Sequence, residues 1–60
     1  MENVNFFLGN LESLLWVELM HFLPSEGDFI SDSDGFKFLV IGRIYVRPSR
    51  QWNIFLESVE

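Results

Sequence analysis

Apolar and polar positions alternate most clearly in the second half of the chain. Phe36–Val46 is dense in aromatic and β-branched residues and holds no proline, the pattern of a long strand. A period of two sets Phe38, Val40, Ile44 and Val46 on one face. Lys37, Leu39, Ile41, Arg43, Tyr45 and Arg47 fall on the other. Gly42 interrupts this run, and an interior glycine in a strand marks a bulge or bend, so the strand is expected to curl there. Pro48–Gln51 reads as a turn. Trp52–Glu57 then returns, with Trp52, Ile54 and Leu56 on one side and Asn53, Phe55 and Glu57 on the other. Upstream, Ser31–Gly35 is a second turn, because Asp34-Gly35 is a strong hairpin signal. It joins a short strand at Asp28–Ser31 to the long one. The pattern predicts a three-stranded meander.

The first half admits two readings. As a helix, Leu11, Leu14, Leu15, Leu19, Phe22 and Leu23 make a stripe at helical spacing, with Asn10 as cap and Pro24 as stop. As a strand, Leu15–Leu23 sets Trp16, Glu18, Met20 and Phe22 opposite Val17, Leu19 and His21, and Gly9-Asn10 turns the chain after Val4–Leu8. The phrase Leu-Pro-Ser-Glu-Gly-Asp at Leu23–Asp28, followed by two strands, resembles small uncharacterised phage and prokaryotic accessory proteins. The resemblance spans about Leu15–Leu56 and points to no named family. It implies strand for the first half. The expected fold is therefore one mostly β domain over residues 1–60, a small curled antiparallel sheet or SH3-like barrel. The alternative is an N-terminal helix packed on the three-stranded meander.

Sixty residues bury only about 60% of their unfolded surface, so such a chain leans on disulfides, a metal or a partner. It has no cysteine, which removes disulfides and thiolate metal sites and fits a reducing cytoplasm. His21 is its one histidine, so no metal or other cofactor is expected. Hydrophobic residues make up 48% of the chain, with seven Phe and two Trp, more than so small a core hides. A homo-oligomer or a tightly held protein partner follows from that excess. No secretory leader is visible at Met1-Glu2-Asn3, and the apolar run Leu11–Leu23 is too short to span a bilayer, so no membrane role is expected.

Charge divides the chain. Residues 1–35 carry seven acids and no Lys or Arg. Residues 36–60 carry Lys37, Arg43, Arg47 and Arg50 against Glu57 and Glu60, so −7 and +2 give the net −5. Few patterns here support catalysis. Ser25, Glu26 and Asp28 lie near His21, but no nucleophile elbow surrounds Ser25. Asp28, Asp32 and Asp34 suggest a calcium loop, yet Ile30 and Ile41 stand where that pattern needs acids, and turn chemistry explains the aspartates. Arg43, Tyr45, Arg47, Arg50 and Trp52 form the one constellation with recognition chemistry, because Arg, Tyr and Trp dominate interface hot spots. The expected function is a non-catalytic binding module, a small acidic inhibitor or accessory factor of phage or mobile-element type that docks on another protein. A nucleic-acid-binding β-barrel and a structural subunit of an oligomer are the alternatives. Net −5 disfavours nucleic acid, since phosphate contacts need a positive field.

Overall fold

A computed structural model describes residues 1–9 and 13–59. It contains five strands: β1 (Glu2–Leu8), β2 (Leu14–Met20), β3 (Phe29–Ser31), β4 (Lys37–Val46) and β5 (Gln51–Val59). They form one sheet in the order β2-β1-β5-β4-β3. The expected meander is β3-β4-β5, with every pairing antiparallel. Asp32 builds its first turn: Oδ1 accepts hydrogen bonds from the N–H groups of Asp34 and Phe36, at 2.9 and 3.0 Å. Gly35 completes that turn at φ 87°, a conformation that costs other residues about 1–2 kcal/mol.

The first half resolves as strand. Leu14–Met20 pairs antiparallel with β1, and no helix occurs among the described residues. Leu11, Glu12 and the proposed cap Asn10 lie outside the described residues. Trp16, Glu18 and Met20 do oppose Val17 and Leu19, but the strand ends at Met20, and Phe22 is almost wholly exposed.

A uniformly antiparallel sheet is not what forms. β1 and β5, the first and last strands, lie side by side and parallel at its centre. Amide side chains mark this junction on the convex face, where Asn5 Nδ2 donates to Gln51 Oε1 and to Asn53 Oδ1 at 3.0 and 3.1 Å. The opposite, concave face holds the core. Val4 and Phe6 of β1, Ile54 and Leu56 of β5, and Phe38 and Val40 of β4 are buried there. Each such side chain contributes about 1.5–3 kcal/mol by leaving water.

Two bulges curl the sheet, one where β2 slips past Phe6/Phe7 and one between Val40 and Gly42 of β4. In a flat sheet β2 and β4 would stand about 14 Å apart, three strand spacings. Here the Trp16 and Phe38 rings meet across the concavity at 6.0 Å, and Trp16 also stacks on Phe6 at 4.5 Å. The curl is that of a half-barrel, with β2 and β3 remaining as its two edges. A cavity of about 350 Å³ lies between those edges, lined by Leu15, Trp16 and Glu18 on one side and Ser31–Asp34 on the other. Residues 21–28 cross from one edge to the other. Leu23 packs on the core, Pro24 is buried, and Gly27 and Asp28 exchange backbone hydrogen bonds with Val40 at 2.9 Å.

The bulge at Gly42, where the glycine predicted a bend, also corrects the face assignment of β4. Ile41 is the extra residue, so the alternation restarts out of phase. Ile44 and Val46 leave the face of Phe38 and Val40, while Arg43 and Tyr45 enter it. Strict period-two reading cannot anticipate such an inversion.

Candidate functional site

Beyond the bulge, β4 and β5 converge on the Pro48–Arg50 turn, which follows a cis Arg47–Pro48 peptide bond. Register places Arg43 opposite Ile54 and Tyr45 opposite Trp52. All four lie on the concave side, in line with the core. Ile54 is fully buried and Trp52 half-buried against the core, so the hydrophobic layer continues into the indole ring. Over that ring the chain sets a charge: Arg43 Cζ lies 5.5 Å from the Trp52 centroid. The Tyr45 and Trp52 rings meet at 5.0 Å, and Arg47 Cζ lies 5.9 Å from the Tyr45 centroid.

The result is a continuous ladder, Arg43–Trp52–Tyr45–Arg47. Each cation–π contact at such an exposed position contributes about 0.5–1 kcal/mol, and the ring pair about 0.5–1.5 kcal/mol. Its main consequence is order. A guanidinium resting on a ring loses freedom before any partner arrives, so less remains to be lost on binding. Arg43 has one further contact, Nη1 donating to the Pro24 carbonyl oxygen at a long 3.4 Å. That bond ties the ladder to the segment crossing between the sheet edges.

Four of the five residues singled out from sequence are thus brought together. Arg50 is the exception: it is exposed in the turn, at φ 58°, and is not among the cations stacked on rings. Sequence inspection missed the Pro24 carbonyl, which no pattern announces because it is a backbone group brought in by the crossover. It also grouped Leu39 and Ile41 with the ladder, whereas the bulge separates them from it.

Chemically the ladder offers planar, multi-donor cations for carboxylates or phosphates, and flat ring surface between them. His21 is exposed in the bend after β2, and Asp28, Asp32 and Asp34 belong to the turns. Asp28 Oδ2 accepts from the Ser25 N–H at 2.8 Å. No helix among the described residues is long and apolar enough to cross a membrane. Comparison with protein families, with curated proteins and with solved structures finds no match for the chain.

Proposed function

We propose that the protein is a non-catalytic binding module that docks on another protein through the Arg43–Trp52–Tyr45–Arg47 ladder, as a small acidic inhibitor or accessory factor in the cytoplasm, of phage or mobile-element type. The observation that carries this reading is the alternation of cation and ring at 5.5, 5.0 and 5.9 Å on a hydrogen-bonded antiparallel strand pair. Rigid aromatic and Arg anchors are the side chains whose truncation costs most at interfaces. With a net charge of −5, attraction for an acidic partner is confined to the ladder, since the rest of the surface repels it.

The test is capture of the partner with tagged protein, followed by titration of wild type and of the Arg43→Ala/Arg47→Ala double variant. The double variant should bind at least about 2 kcal/mol more weakly while remaining folded, the scale of interface hot spots. Equal binding by the two proteins would reduce the ladder to ordinary surface. A second reading rests on the same rings, which are also suitable platforms for unpaired bases. It requires affinity that falls steeply with salt, as phosphate contacts do.

Self-association belongs to the same proposal. Leu14, Val17 and Leu19 of β2 and Ile44 of β4 lie on the convex face, each more than half exposed. Apolar area of that kind suits a second copy or a partner subunit. Sedimentation equilibrium at micromolar concentration should give a mass above that of one chain, and a stable monomer would remove this part of the reading.

A further inference from the structure

β4 runs for ten residues, but its neighbour on one side is short. β3 pairs only with Lys37, Phe38 and Leu39, and Gly27 and Asp28 occupy Val40. From Gly42 to Val46, β5 fills one side of the strand. Among the described residues, no backbone group pairs with the other side. Every second N–H and C=O of a strand points away from a given neighbour, so this stretch is an open length of sheet edge. It runs alongside the ladder, because Arg43 and Tyr45 project from it and Arg47 follows it.

We infer that the open edge of β4 takes an extended acidic segment of a partner protein as an added strand, and that the stacked arginines pair with its carboxylates. This rests on the protein-docking reading above and adds the mode of binding and the chemistry of the ligand. Backbone pairing supplies sequence-independent attraction, as in other cases of strand addition, and side chains at alternate positions supply selection. Arg43 and Arg47 are four residues apart, about 13 Å along a strand, so carboxylates spaced alike on one face of an added strand meet both. Ile44, on the other face, gives that strand an apolar neighbour.

Charge decides the occupant. A second copy pairing antiparallel on this edge would set the arginines of one chain against those of the other, and like charges across strands repel. Basic side chains set beside Arg43 and Arg47 are repelled in the same way, although the net charge of −5 attracts a basic chain at long range. The bulge and the cations thus protect the edge against self-pairing and leave it open to an acidic strand. Glu26 lies beside Gly42, its Oε1 3.9 Å from where a Cβ would stand. The carboxylates of the segment therefore belong at Arg43 and beyond, not at the bulge.

The experiment uses the full chain, isotope-labelled, with defined probes: an octapeptide of alternating Glu and Thr, its counterpart methylated at alternate backbone nitrogens on either edge, a Lys/Thr octapeptide, and oligothymidine. The Glu/Thr peptide should shift the amide signals of Gly42–Val46 and slow their hydrogen exchange. Methylation of one edge should abolish binding, and Arg43→Ala/Arg47→Ala should weaken it by about tenfold or more, a loss of about 1.4 kcal/mol. Dispersed amide spectra of that variant establish that it is folded. Binding that ignores methylation, or leaves Gly42–Val46 unmoved, overturns strand addition while the docking reading stands. No binding of the Glu/Thr peptide at millimolar concentration, or equal binding of Lys/Thr, overturns the acidic segment. Oligothymidine binding tighter than any peptide, and lost in the double variant, removes the docking reading as well.

Discussion

β4 is two strands in one. Before the bulge, Phe38 and Val40 lie between β3 or the crossover on one side and β5 on the other, and both are buried. After it, Arg43 and Tyr45 occupy the same concave side, with β5 on one flank, and both are exposed. The difference is not one of face but of enclosure. The closed end of the half-barrel has Trp16, Leu23 and Ile30 against its core, whereas the end near the Pro48–Arg50 turn has the ladder. One strand therefore supplies stability at its start and recognition at its finish, and the extra residue at Ile41 lets the core line continue into the site.

The largest effect should come from the closed end. Phe38→Ala removes a buried ring that touches Trp16, and such truncations cost about 3–5 kcal/mol. A domain of this size holds few kcal/mol in reserve, so the variant should be largely unfolded at 25 °C by circular dichroism and urea titration. A folded Phe38→Ala protein would mean that the closed end does not carry the stability. Trp52→Ala should fall between the two ends. The indole packs on the core and also carries Arg43 and Tyr45, so about 2–3 kcal/mol of stability and most partner affinity should go together. At the open end, Arg43→Ala/Arg47→Ala should change stability by only about 1 kcal/mol in urea titration, because exposed substitutions rarely exceed about 0.5 kcal/mol each. Loss of folding in that pair would erase the distinction between the ends.

Much of the closed end was legible in the residues. Asp34-Gly35 announced the β3–β4 hairpin, Gly42 announced the bend, and the alternation of β5 gave Trp52, Ile54 and Leu56 one face. The ladder was legible in membership but not in placement, since Arg43, Tyr45, Arg47 and Trp52 were identifiable as types. Their alignment with the core needed the phase change at Ile41, and that depends on pairing with β5 rather than on local sequence. The parallel β1–β5 junction was not legible at all. Its partners stand at opposite ends of the chain, and period-two alternation is the same for parallel and antiparallel neighbours. For β2, a helical stripe through Leu14, Leu15 and Leu19 competed with a strand over Leu15–Leu23 that alternates Trp16, Glu18 and Met20 with Val17 and Leu19. What decides between them is the Trp16 ring, which as part of a strand lies against both Phe6 and Phe38.

The smallest effect tests what holds the bulge between the two ends. Gly42 does not lie in the left-handed region, unlike Gly35 at φ 87°. A Cβ on Gly42 would find its nearest neighbours, Glu26 Oε1 and a ring carbon of Phe55, at 3.9 Å, ordinary contact distance. Nothing local therefore demands glycine. The bulge is held instead by what lies on either side of it: Val40 must stay in the core opposite Leu56, and Tyr45 must stay opposite Trp52. On that account Gly42→Ala should be neutral or should stabilise by about 0.4–1 kcal/mol, because alanine narrows the unfolded ensemble. Gly35→Ala, placed in a left-handed turn, should instead lose about 1–2 kcal/mol. Paired urea titrations of the two variants measure the contrast, and cross-strand contacts between Tyr45 and Trp52 in nuclear magnetic resonance spectra report whether the register survives. If Gly42→Ala moved Ile44 to the concave side, the glycine would be the cause of the bulge, and the two ends of β4 would owe their separation to one residue.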